Sequence, residues 1–141
     1  SGLFSNNTSE QEKQFATEVF SATGIVTWLS EEDQINDIIA VTGSSPAYVF
    51  LFLEAIEQKA KELGFNAEQA RELVQQVAVG ASDMVAKSPD LSISQLRANV
   101  TSKGGTTAAA IAHLEQQNLT QTVADAMDAC IARAQQMEQE F

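Results

Sequence analysis

The sequence predicts a mainly α-helical fold preceded by one short β-α-β unit, and three observations carry that expectation. Polar pairs with capping-box spacing stand ahead of apolar stretches of helical period, at Thr8/Gln11, Asn66/Gln69, Ser92/Gln95 and Asn118/Gln121. One run alone is strongly β-branched and aromatic, Gly24-Ile25-Val26-Thr27-Trp28-Leu29. The chain is also 44% hydrophobic with few aromatics and only two prolines, a profile that suits packed helices and argues against disorder.

Taken in order, Gly2-Leu3-Phe4-Ser5 is a candidate short strand. Thr8 and Gln11 open a helix whose Phe15, Val19 and Phe20 share a face, and the Gly24–Leu29 strand follows. Ser30 caps the next helix, with Glu31, Glu32 and Asp33 where the helix dipole favours negative charge. Ser44 or Ser45 caps a further helix, Pro46 fits its first turn, and Gly64 ends it. Asn66 and Gln69 open a helix to about Lys87 with an apolar face through Ala70, Leu73, Val74 and Val77. Ser92 and Gln95 begin a short helix interrupted by the turn Thr101–Gly105. Asn118 and Gln121 cap the last helix, whose stripe includes Val123, Met127, Cys130, Ala134 and Met137. The segment Tyr48–Leu53 is apolar around the whole helix circumference and is expected to be buried on all sides, partly by a second subunit.

Length fits one domain with a real core. A net charge of −11 argues against nucleic acid or an anionic membrane surface as partner. The longest apolar run, Ala47 to Leu53, is too short to cross a bilayer, and the opening residues lack the features of a signal peptide. The single cysteine, Cys130, suits a reducing cytoplasm and sits in an apolar stripe, which favours a packing role.

The segment Ser102-Lys103-Gly104-Gly105-Thr106-Thr107 carries the most chemistry. Paired glycines allow close approach of a ligand to the backbone, and a helix begins at the threonines with unpaired N–H groups and a positive dipole end. Such a turn binds small anions, carboxylates as well as phosphates. It is not a Walker A loop, because the lysine precedes the glycines. On turn chemistry alone, an ordinary glycine-bearing loop with threonine caps is the commoner reading.

This turn resembles the SPGGTT segment of the pyrroline-5-carboxylate reductase family. Ala40-Val41-Thr42-Gly43-Ser44-Ser45-Pro46-Ala47-Tyr48-Val49-Phe50 looks like that family's AVSGSGPAYVF, and the stretch from Gln76 to Val85 is similar to its QTVLGAAKML helix. Leu114-Glu115 and the closing helix with Arg133 follow the same pattern, so the resemblance spans the chain in order. Lys103 stands where the family usually has proline, which frees a backbone torsion, and Ser45 stands where it usually has glycine. The resemblance implies a reductase converting 1-pyrroline-5-carboxylate to L-proline with NADPH or NADH. It also implies a homodimer of interlocked helical domains, with larger rings of dimers occurring in the family. Residues 1–30 would be the β-α-β end of a Rossmann-like nucleotide-binding domain, and residues 31–141 the helical dimerisation and substrate-binding domain.

No GxGxxG or GxGxxA occurs, so the chain is expected to be a fragment lacking most of that nucleotide-binding domain. By the resemblance, Ser102, Gly104, Gly105, Thr106 and Thr107 bind the substrate. Backbone N–H groups around Gly105–Thr107 hold its carboxylate, and the Thr107 hydroxyl reaches the ring nitrogen as the catalytic group. Ser44 and Ser45 approach the nicotinamide. No metal site is expected, because His113 is the only histidine and has no ligand cluster. Nucleophilic hydrolysis at Ser44 or Ser45 is disfavoured by the absence of a histidine base and of GxSxG. Two other readings stay open: the helical domain of another NAD(P)-dependent reductase, or a non-catalytic helical oligomerisation module. Against a β-hydroxyacid dehydrogenase, Lys59 and Lys61 sit late in a helix beside Glu57 and Glu62, without the glycine-bearing context of its catalytic lysine.

Overall fold

A computed structural model describes the chain from Ser1 to Glu140. It is mainly helical, with a two-stranded parallel sheet at the start, in agreement with the predicted class. Two compact units are present, Ser1–Pro46 with Ala124–Phe141, and Ala47–Val123.

In the first unit, β1 (Gly2–Leu3) pairs with β2 (Thr27–Trp28), and α1 (Glu10–Ser21) connects them. The strand expected over Gly24–Leu29 shrinks to two residues, because β1 offers only two residues to pair with. The cap of α1 lies one residue later than predicted. Ser9 Oγ accepts from Glu12 N–H, and Glu12 Oε2 accepts from Ser9 N–H at 2.8 Å. Both pairs have the right spacing; the Glu12 carboxylate is the stronger acceptor and wins over the Gln11 amide. Phe15, Val19 and Phe20 are exposed rather than packed. Behind the sheet, Trp28 Nε1 donates to Thr17 Oγ1 at 2.9 Å, and Lys13 Nζ lies 5.7 Å from the Trp28 ring centre.

Ser30 does not begin a helix directly. Its N–H and hydroxyl both donate to Gln34 Oε1, Glu31–Asp33 form a tight turn, and α2 (Gln34–Ile38) starts after it. The next helix begins at Ser45 with Pro46 in its first turn, as expected, but no separating loop precedes it. A π-helical turn over Ile39–Gly43 carries the chain on to α3 (Ser45–Glu62), with Ser44 N–H donating to Ile39 O at 2.8 Å. Proline inside a helix lacks a donor and crowds the carbonyl four residues back. The wider π turn just ahead of Pro46 opens the ladder there, and Ser45 Oγ donates to the Ala40 carbonyl at 2.9 Å. The consequence is a 29-residue helical run, Gln34–Glu62, long and apolar enough to cross a membrane by length and composition. That corrects the expectation drawn from Ala47–Leu53 alone.

The second unit follows the predicted order. Gly64, at φ +101°, ends α3, and α4 (Ala67–Lys87) opens on the Asn66/Gln69 capping box. The Ser92/Gln95 box opens α5 (Ile93–Asn99), and α6 (Thr106–Gln116) follows the glycine turn. Asn118 immediately precedes α7 (Leu119–Glu140), the predicted cap position, and takes φ +54° in a tight link to it, a conformation asparagine tolerates better than most residues. Buried residues among the described ones are few: Ala40, Ala70, Val74, Leu96 and the polar Asn36. No residue of α3 is buried, so the all-round apolar helix is not covered within the chain. Cys130 is only half-buried.

Candidate functional site

In the second unit, α5 and α6 meet at the turn Val100–Gly105. Leu96 anchors α5. Thr101 Oγ1 donates to Arg97 O at 2.6 Å and Thr101 N–H to Ala98 O, closing the end of α5. Gly104 then takes φ +73°, the left-handed region that glycine occupies freely. Gly105 N–H turns back to Ser102 O at 3.0 Å, and Gly105 becomes the N-cap of α6 with φ −81° and ψ 173°. A Cβ on Gly105 would fall on Ser102 Oγ and 3.2 Å from Ser102 O. Gly105 therefore makes room for the serine hydroxyl.

Because Gly105 N–H is spent inside the turn, the first-turn donors left for an anion are those of Thr106, Thr107 and Ala108, which have no intrahelical acceptor. Thr106 and Thr107 are exposed, as are Ser102, Lys103 and Gly104; Gly105 is half-buried. No side chain caps α6, so its dipole end is open. Across the turn, Arg97 Nη1 meets Glu115 Oε1 at 2.8 Å and ties α5 to the far end of α6. That pair lies 18 residues apart and has no periodic signature, so the sequence reading missed it.

Ser44 and Ser45 belong to the first unit, at the end of the π turn, and both are half-buried. Their hydroxyls engage the protein: Ser45 Oγ donates to Ala40 O, and Ser44 Oγ accepts from Cys130 Sγ at 3.2 Å. Ser44 keeps its own hydroxyl hydrogen to donate.

Among the described residues, no group of three or more His, Cys, Asp or Glu could hold a metal ion. His113 is exposed and lines an apolar cleft of about 610 Å³ with Phe52, Ile56, Leu63 and Leu114. The connection from β1 to α1, Phe4–Ser9, contains no glycine and ends in a capping box. It does not fit a dinucleotide pyrophosphate, which needs the backbone of a glycine turn at a helix start. The site can bind an anion and donate a hydrogen bond, and it presents no strong base or nucleophile.

A family profile described as pyrroline-5-carboxylate reductase dimerisation matches residues 32–137. The chain belongs to that family. The pyrroline-5-carboxylate reductase of Vibrio alginolyticus is 49% identical over 142 residues, covering 100% of this chain and 52% of that protein. That of Pasteurella multocida is 50% identical over the same length, again 52% of its own. A solved pyrroline-5-carboxylate reductase from Coxiella burnetii superposes with TM-score 0.90 at 42% identity, over 96% of this chain and 50% of that one. The Plasmodium falciparum pyrroline carboxylate reductase, solved with NADP bound, gives TM-score 0.81 at 29% identity over 96% of this chain and 52% of its own. The chain thus spans about half the length of the relatives it matches.

Proposed function

We propose that this chain is the helical half of a pyrroline-5-carboxylate reductase, which reduces 1-pyrroline-5-carboxylate to L-proline. The observation that carries the reading is the open N-terminus of α6 behind the Gly104-Gly105 turn, in a chain of this family. Thr106 and Thr107 N–H groups receive the substrate carboxylate there, with Ser102, Gly104 and Gly105 shaping the turn around it. The carboxylate replaces the capping side chain that α6 lacks.

Held in that way, the ring presents its C=N bond to the space beside Thr107. When bound, reduced nicotinamide supplies a hydride to the imine carbon. The C=N π pair moves to the ring nitrogen, which takes a proton from solvent, and the Thr107 hydroxyl donates the hydrogen bond that stabilises the nitrogen as this charge develops. Orientation carries most of the work, since no protein nucleophile is required. Ser44 and Ser45 approach the nicotinamide side, while NADPH or NADH is bound mainly by a nucleotide-binding domain outside this chain. On this reading residues 1–30 close that domain, and residues 31–141 form the substrate-binding and dimerisation domain. The enzyme is a cytoplasmic homodimer able to build larger rings.

The test is loss of reduced-nicotinamide absorbance on adding 1-pyrroline-5-carboxylate to the full-length protein, with proline identified as product. Turnover with proline formation is expected. Turnover of a different imine or 2-oxo acid only would assign the chain to another reductase, and no turnover with any would leave an oligomerisation module. The chain of residues 1–141 alone is expected to be inactive; NADPH-dependent proline formation by it would overturn the assignment of the nucleotide to another domain.

A further inference from the structure

Asn36 is the one buried polar side chain among the described residues, 3% exposed on α2, and its position calls for a reason. Its Nδ2 donates to Glu138 Oε1 at 2.9 Å, across 102 residues of chain. Eight residues further along, Ser44 Oγ accepts from Cys130 Sγ at 3.2 Å, and Cys130 lies eight residues before Glu138. The two contacts therefore stand in matching register on segments that run antiparallel. Between them, Ala40 is fully buried, one turn from Asn36 on the same face. Ile39, Ala134 and Met137 line the apolar slot alongside. Nearby Arg133 is committed to Glu140 through two hydrogen bonds, 2.8 and 3.2 Å, which leaves Glu138 to Asn36.

What lies between the two contacts is the π turn Ile39–Gly43. A π turn adds a residue to the helical circuit, so its rotation is less fixed by its own ladder than that of an α-helix. Burying an amide is costly unless it is satisfied, and a satisfied one fixes orientation more sharply than an apolar contact. We propose that Asn36 is a positioning residue: bonded to Glu138, it makes the end of α7 a brace that sets the rotation of the π turn and hence the aim of Thr42–Ser45. The inference rests on the reading above that Ser44 and Ser45 face the nicotinamide.

In the full-length reductase, amide hydrogen exchange over Ile39–Ser45 reports the brace directly, without turnover. Asn36→Asp places two carboxylates together and should raise that exchange by about tenfold. Glu138→Gln keeps an acceptor for Asn36 and should change little, and Asn36→Asp with Glu138→Gln restores a donor–acceptor pair and should recover protection. The KM for the reduced nicotinamide cofactor should rise roughly three- to tenfold in Asn36→Asp, with the KM for the imine within about twofold, and return in the double variant. A merely structural role would lower the melting temperature and kcat with both KM values unmoved. Unchanged exchange in Asn36→Asp overturns the brace, whatever the kinetics. Raised exchange with an unmoved cofactor KM, when Ser44→Ala does raise it, overturns the positioning role alone. If Ser44→Ala also leaves that KM unmoved, the failure lies in the assignment of Ser44 to the cofactor, and the positioning role falls with it.

Discussion

At the level of single residues, Thr107 and Gly105 divide the work of the turn. Thr107 is exposed in the first turn of α6, where its hydroxyl is available to a ligand. If it donates to the ring nitrogen as charge changes there, Thr107→Ala lowers kcat by about ten- to a hundredfold, equivalent to one to three kcal/mol. Thr107→Ser retains the hydroxyl and much of the activity. A threonine that only stabilised the helix start would instead cost about 1 kcal/mol of stability with kcat near wild type. Steady-state kinetics and thermal melting of the two variants separate these cases, and a destabilised but fully active alanine variant removes the catalytic role. Gly105 acts differently. A methyl group there meets Ser102 Oγ and the Ser102 carbonyl, so Gly105→Ala should cost about 1–3 kcal/mol and raise the substrate KM by displacing Ser102. A variant with unaltered melting and KM would show that the turn relaxes around the methyl group. The turn and the helix start at Thr106 were legible from sequence because paired glycines interrupt the helical pattern there. The spending of Gly105 N–H inside the turn was not, because which of several donors a turn consumes depends on torsions that composition does not encode.

Elements were read well where local chemistry decides and poorly where distant packing does. The Asn66/Gln69 and Ser92/Gln95 boxes start their helices as expected, since a cap is settled within four residues. Thr8/Gln11 yielded to Ser9/Glu12 because two overlapping pairs fit one pattern and charge chose between them. Pro46 stands in the first turn of α3, as its fixed torsion favours, whereas the π turn that joins α3 to α2 has no signature in the apolar pattern and is held by side-chain bonds at Ser45 and Ser44. The Glu12 carboxylate offers a test at this scale. Hydrogen bonds from the Ser9 backbone N–H and then from its hydroxyl hold its pKa below the ordinary glutamate value. A carboxylate with a depressed folded pKa adds stability that is present above its unfolded pKa and lost as pH falls through the folded one. The protection of α1 should therefore weaken from about pH 5 downward. Glu12→Gln should be less stable near neutrality and show a flatter pH dependence over that range. Because both donors are neutral, added salt should leave the Glu12 effect in place while weakening the 2.6 Å Lys61–Glu57 pair, which lowers the Glu57 pKa chiefly through the Lys61 hydrogen bond. Hydrogen exchange of α1 and of the end of α3 against pH, at two salt concentrations, checks both statements; equal α1 slopes for wild type and Glu12→Gln would refute the first.

On the scale of the molecule, the governing fact is how much apolar side chain the single chain leaves uncovered. Phe50 and Leu51 are 67% and 68% exposed on α3, and Val49 and Phe52 beside them are about half exposed. Leu73 and Val77 on α4 are similarly open. Full burial of such a side chain contributes about 1.5–3 kcal/mol, so covering the exposed half contributes roughly 0.75–1.5. Six from each of two chains give about 9–18 kcal/mol, against an association cost of about 4–15 kcal/mol. A second copy supplies the cover at no cost in new sequence, and the family is one of dimerisation domains. Lipid is the competing cover, since Gln34–Glu62 is apolar and long enough to span a bilayer. Its last turns argue for water, with Lys59 paired to Glu62 at 3.0 Å and Lys61 to Glu57. The chain should therefore sediment as a helical dimer at micromolar concentration without detergent, and Phe50→Glu should shift it to monomer while the capped helices α4 and α5 persist. A well-folded wild-type monomer at that concentration would remove the dimer, and a need for detergent would move the cover from a second chain to the membrane.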